Sequence, residues 1–399
     1  MFINQRPFSF FFILAFVSLY SSMTCLRNEK TLKSAYAQKQ SEPIFTTNTD
    51  GETVALANTA PASQPTQDTA LPLTPKSQRE KRVNPTDAKS LLTFIEKLQH
   101  HKFSWAHFPL KRPNFVKGIY LTNATASNPK SFKHFVDRSK EYKLNAMVID
   151  TQGRKLTTEQ MSYIKSQGIY PIARVVCFDL GLKTQVPNTV HLDKIMASVE
   201  EAAQMGFPEI QLDYIRYADE PKLLRLPLKF KYEQISKVLD RARKLTDSLG
   251  VELGADVFGR ITLNQHDQIG QRLEVFGEYV QNLYPMVYPS HYYGDPEKIA
   301  DPYGTVKEGV ANSKERIPKT RIIAWIQGFA MKIKESGLAL PEYVLQQFYA
   351  IDDAGGDGYI VWNARNDYSA TWKALKEYER LAPTRKKAHV QKERIDKQG

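Results

Sequence analysis

Cysteine is nearly absent: the 399-residue chain has only Cys25 and Cys177, too few for a disulfide framework. Histidine is sparse as well. The eight histidines are scattered, no H-x-H occurs, and only His291 falls at the end of a strand-like run, so a His-built zinc site is not expected. No G-x-S-x-G elbow is present, which argues against a serine esterase. The first strand-like run is followed by "NATASNPKS", without a glycine, where a nucleotide-binding sheet would favour a Gly-rich phosphate turn. No cofactor is implied. The formal net charge of +12 suggests nucleic acid only until it is located. Much of it sits in "KSQREKR" and in the C-terminal "TRKKAHVQKERIDKQG", and no nucleic-acid recognition module is readable.

The one long apolar run is N-terminal. "MFINQRPFSFFFILAFVSLYSSMTC" has a basic start at Arg6 and an apolar stretch from Phe8 to Tyr20, short for a membrane span. Residues 1–25 therefore read as a signal peptide or lipoprotein signal, with Cys25 where bacterial lipoproteins place the acylated cysteine. Thr24 is larger than the residue a lipobox usually has there. Cleavage after "SAYA" at Ala37, giving a soluble exported protein, and an uncleaved anchor both remain open. Residues 26–90, rich in Thr, Ser, Pro and Gln without apolar periodicity, read as a disordered tether. Residues 91–116 read as a lead-in helix and a loop, the helical pattern "TDAKSLLTFIEKLQHH" beginning a few residues earlier, at Thr86. The expected folded domain is 117–382, and 383–399 is a basic tail.

From residue 117 a pattern repeats: a short apolar run, then an amphipathic helix. Expected strands are 118–122, 144–150, 170–177, 209–215, 251–258, 280–288, 321–327 and 358–363. Expected helices include 192–205 and 232–249, and Gly168, Gly206 and Gly250 fall where helices end before strands. Eight such units are the arithmetic of a (β/α)₈ TIM barrel, with a doubly wound open sheet as the alternative. Cys177 lies in an apolar run and reads as core.

Barrel enzymes carry their sites at the C-terminal ends of the strands. In "EIQLDYI" alternation puts Ile210, Leu212 and Tyr214 against the helices and Glu209, Gln211 and Asp213 inward. "VELGADVF" has the same phase, with Glu252, Gly254 and Asp256 inward. Two carboxylates at similar height on adjacent strands can protonate a glycosidic oxygen and attack, or activate water against, the anomeric carbon. Asp213 is expected as nucleophile or base and Asp256, with apolar sequence neighbours Val257 and Phe258, as acid, though the roles are exchangeable on sequence alone. The plainer alternative is that one or both cap a loop or pair with Arg174 or Arg216. Either arginine could hold Asp213 ionised. Tyr288, His291, Trp325, Gln327, Trp362 and Asn363 lie at or near strand ends and are expected to meet a sugar's CH faces and hydroxyls. Tyr284, Met286 and Trp362 also fit ordinary packing. Asp150 ends the second strand and either orients a catalytic group or starts a turn.

The blocks "IQLDYIRYA", "GADVFG", "DQIGQ", "YPMVYPSHYYG", "AWIQGF" and "GGDGYIVWNA" resemble, in this order, those of the "putative glycoside hydrolase domain" family, a bacterial family first catalogued as a domain of unknown function. The resemblance covers about residues 115–380. It implies a TIM barrel distantly related to amylase-like and chitinase-like hydrolases, with Asp213 and Asp256 where those keep strand-four and strand-five acids. Two departures stand out. The family's second-strand block usually continues with Lys-Asp, whereas this chain reads "DTQGRK". Chitinase-like enzymes have a Glu two residues after the strand-four Asp, where Ile215 stands here, so substrate-assisted chitinase chemistry is not implied. The expected function is hydrolysis of a polysaccharide by an exported, cell-envelope protein. A non-catalytic carbohydrate-binding or envelope-scaffold protein on the same barrel is the rival.

Overall fold

The computed structural model describes residues 110–381. The expected export segment, Cys25, tether, lead-in helix and basic tail lie outside these residues. Within them, eight strands close into an all-parallel barrel in sequence order, which excludes the open doubly wound sheet. The strands are β1 (Val116–Leu121), β2 (Ala146–Asp150), β3 (Tyr170–Val176), β4 (Glu209–Asp213), β5 (Glu252–Phe258), β6 (Asn282–Met286), β7 (Arg321–Gln327) and β8 (Gly358–Trp362). β1 starts one residue inside the segment read as lead-in loop.

The principal helices are α1 (Pro129–Glu141), α2 (Thr158–Ser166), α3 (Thr189–Gln204), α4 (Leu228–Leu249), α5 (Leu273–Gly277), α6 (Pro302–Arg316), α7 (Leu340–Asp353) and α8 (369–381). Their starts are written locally. Asn128 accepts from the amides of Lys130 and Ser131, with Pro129 opening the helix. Thr157 and Gln160 form a reciprocal capping box on α2. Gly250 ends α4 at φ 68°, a left-handed geometry that costs glycine nothing.

The outer core lies between strands and helices. Ile210, Leu212, Leu253, Ala255 and Val257 belong to it, as strand phase requires, and so does buried Cys177. The inner core is aromatic: Tyr120, Tyr170, Tyr284, Tyr288 and Trp325 fill the barrel with Val148, Ile172, Ile323 and Ile360. Inward polar groups interrupt it at Glu209, Gln211, Asp213 and Asp256, all buried.

Candidate active site

Strand register builds the site. Leu212 pairs with Ala255, so the next residues, Asp213 and Asp256, reach the same height at the C-terminal mouth. Asp150 pairs with Arg174 one step around the barrel. Arg174 ties the three carboxylates together. Its Nη1 donates to Asp150 Oδ1 at 2.6 Å, and its Nε and Nη2 both donate to Asp213 Oδ2, the Nε bond at 3.0 Å. The same Nε lies 3.9 Å from Asp256 Oδ2. Asp213 and Asp256 thus present oxygens within about 7 Å of each other, bounded by the shared nitrogen. That bound admits both retaining and inverting separations.

The environments of the two acids differ. Asp256 is 1% exposed. Burial, and then the negative charge of Asp213, push its carboxyl well above the ordinary carboxylate range, against the opposing pull of Arg174 and of a hydrogen bond from Trp325. Of its apolar neighbours in sequence, Val257 faces outward into the helix layer and Phe258 lines the cavity beside it. Asp213 pairs with Arg174, and its Oδ1 accepts the Tyr214 amide at 2.6 Å. Arg216 does not reach Asp213. It donates from Nη1 to the Tyr217 carbonyl at 2.8 Å and to Asp219 at 2.9 Å.

A cavity of about 330 Å³ opens over the acids. It gathers Asp213, Asp256, Arg174, Arg216, Tyr288, His291, Trp325 and Trp362, all expected from the sequence. Three expected residues stand outside its lining. Asp150 instead accepts from Arg174 and from the Tyr120 hydroxyl, so it orients Arg174 rather than starting a free turn. Gln327 is fully buried, with its amide donating to the carbonyls of Phe329 and Met331 and its oxygen accepting from Ser290. Asn363 donates to the carbonyls of Gly328 and Asp367 and accepts from the Arg365 amide. Both side chains are consumed in pinning loops, because a buried amide must satisfy its own donors and acceptor. Trp325 reaches the cavity, but it is 1% exposed and its indole N–H is committed to Asp256 at 2.8 Å. It is a positioning residue more than a sugar platform.

The expectation for Tyr214 is corrected. β4 ends at Asp213, so alternation does not carry Tyr214 outward. It takes φ +58° and lines the cavity. A left-handed tyrosine directly after the acid is strained, on the order of 1 kcal/mol. Phe258, Arg260 and Gln271 also line the cavity and went unassigned in the sequence. Arg260 had a usable signal, two residues past the end of the inward-phased "ADVF". Gln271 had only its place in "DQIGQ". Its amide links the loops after β4 and β5 by accepting from the Phe258 amide at 2.9 Å and donating to the carbonyls of Ile215 and Asp256.

Comparison with known proteins agrees with this architecture. Residues 186–368 match the model of a family described as "Putative glycosyl hydrolase domain", the resemblance already carried by the motifs. The PgaB (BpsB) glycoside hydrolase domain from Bordetella bronchiseptica superposes with a TM-score of 0.50 at 10% identity, over 66% of this chain and 98% of that one. The endo-beta-1,4-mannanase from Thermotoga petrophila gives a TM-score of 0.50 at 12% identity, over 68% of this chain and 77% of that one. At such identities the likeness is one of fold. No curated protein sequence matches the chain significantly.

Proposed function

We propose that this protein hydrolyses a glycosidic bond in a polysaccharide, with Asp256 as general acid and Asp213 as nucleophile or base. The observation that carries the reading is the shared Arg174 Nε, 3.0 Å from Asp213 and 3.9 Å from Asp256, inside one aromatic-lined cavity. Two carboxyl groups this close, one pushed toward its protonated form and one ion-paired, supply the two states that glycoside cleavage requires. Asp256 would give its proton to the leaving oxygen as the C–O bond breaks. Asp213 would bond to the anomeric carbon or deprotonate the attacking water. Arg174, held by Asp150, fixes the height of Asp213. The family match and the fold of the solved hydrolases support the class of reaction but not a particular sugar.

The test is release of reducing ends from a panel of cell-wall and extracellular polysaccharides. Asp213→Asn and Asp256→Asn should each lower the rate by 10³-fold or more, by order of magnitude for such groups, while leaving the folded protein intact. Unchanged rates in both variants would sink the assignment. One observation favours a binding protein instead: both oxygens of Asp213 already hold hydrogen bonds from the protein, Oδ2 from Arg174 and Oδ1 from the Tyr214 amide. That reading wins if the wild type retains glycans on an affinity gel and cleaves none.

Export and acylation at Cys25 belong to the same proposal and rest on the N-terminal sequence.

A further inference from the structure

We infer that the sugar unit bound on the β4–β5 side of the cavity carries a carboxylate, as a uronate does, and that Arg216 receives it. This deepens the glycosidase reading and rests on it. Arg216 is 7% exposed and lines the cavity three residues beyond Asp213. Its Nη1 is spent on the Tyr217 carbonyl and on Asp219, but its Nε is buried without a hydrogen-bond partner. A buried guanidinium N–H left unmet is costly, and the Nε–Nη2 edge is the fork that fits a planar carboxylate with two parallel bonds. Among the described residues the only acid paired with Arg216 is Asp219, whose side chain is 63% exposed, so water screens that pair.

A second cation reinforces the first. The guanidinium carbons of Arg216 and Arg260 lie 5.0 and 4.9 Å from the centre of the Phe258 ring, and all three residues line the cavity. Arg260 is paired with Asp267 through Nε and Nη2. The β6–β8 side of the cavity, by contrast, offers the rings of Tyr288 and Trp362, and the one cation that meets them, Arg174, 5.4 Å from the Trp362 ring centre, is already paired with Asp150 and Asp213. One wall is therefore built for charge and the other for apolar sugar faces. A neutral glycan can offer the Arg216 edge only a hydroxyl oxygen, whereas a carboxylate answers it with two parallel bonds and the opposite charge.

The experiment sets uronate-containing polysaccharides (polygalacturonate, alginate, hyaluronan) against their carboxyl-reduced counterparts. Full-length protein is assayed for cleavage, and its Asp256→Asn variant for retention in affinity electrophoresis. The uronate forms should be cleaved or retained about ten- to hundredfold better, the worth of a hydrogen-bonded charge. Arg216→Gln should remove that preference and Arg216→Lys should restore only part of it. Because Arg216 also holds the Tyr217 carbonyl, Arg260→Ala, at a half-exposed position, provides a second variant, expected to weaken the preference several-fold. If uronates are retained but nothing is cleaved, the hydrolase reading falls and the carboxylate site stands. If the wild type handles no uronate polymer better than its reduced form, the carboxylate site is overturned, and cleavage of neutral glycans would leave the hydrolase reading untouched.

Discussion

The indole N–H of Trp325, on β7, donates to Oδ1 of Asp256, on β5, at 2.8 Å across the mouth of the barrel. The bond selects one orientation of the proposed acid and opposes the effect of burial on its proton affinity. Asp256 can donate a proton only while it holds one, so activity is present below its raised pKa and lost as pH rises through it. Trp325→Phe keeps most of the ring volume and removes the N–H. The pKa of Asp256 then rises further, and the descending limb of the kcat/KM profile moves to higher pH. A limb that stays in place or moves to lower pH would show that Trp325 does not act through Asp256. The rate at the optimum should fall about tenfold, as expected for a lost orienting bond of 1–2 kcal/mol.

Arg174 makes a second test. It pairs with Asp213 and Asp150, with only 9% of its own side chain exposed and 7% of Asp213's. Arg174→Met leaves those carboxylates without their cation, and breaking a buried pair from one side costs about 3–5 kcal/mol. Chemical denaturation should show a loss of that size. The double variant Arg174→Met/Asp213→Asn should recover part of it, because the uncompensated charge goes with the carboxylate. Additive losses in the double variant would mean that the two residues act independently.

The fold and the two acids were legible because their signals are local and periodic. Alternation in "EIQLD" and "ELGAD" fixes which residues face the helices, and Ile210, Leu212, Leu253 and Ala255 duly lie in the outer core. Arg174 and Trp325 were legible as strand residues near the mouth, and Asp213 as one partner open to Arg174, but the bonds from Arg174 to Asp150 and from Trp325 to Asp256 were not, since they cross between strands distant in sequence. Gln327 and Asn363 show the reverse failure. A polar residue at a strand end looks the same whether it meets a ligand or secures a loop, and only the positions of the Phe329, Met331, Gly328 and Asp367 carbonyls decide. Tyr214 was misplaced because alternation was carried one residue past the strand's end into a left-handed turn.

Acylation at Cys25 predicts detergent partitioning. Wild-type protein from expressing cells should enter the detergent phase on Triton X-114 separation. Cys25→Ser should shift it to the aqueous phase if the signal is otherwise cleaved. Equal partitioning of the two would exclude lipid attachment at this cysteine and leave the cleaved or the uncleaved alternative, which the mass of the mature protein separates.

Deep in the barrel, Glu209 supplies a test of stability that is independent of the active site. It is 1% exposed, and its Oε1 accepts from the Tyr284 hydroxyl. Burial pushes its carboxyl from 4.5 up to about 7, with the charge of Glu252 adding to the rise and hydrogen bonds from Tyr284 and Asn282 opposing it. Below about pH 4.5 the folded and unfolded chains both hold the proton, and its contribution is intact. Between there and about pH 7 the unfolded chain has released the proton while the folded chain keeps it, so stability falls as pH rises, by on the order of 3 kcal/mol across the window. Glu209→Gln carries no titrating proton and escapes that loss. Denaturation from pH 4.5 to 8 should therefore find the variant close to wild type at the acid end and progressively more stable toward the alkaline end. A difference that does not change with pH would mean that Glu209 does not titrate differently in the folded chain.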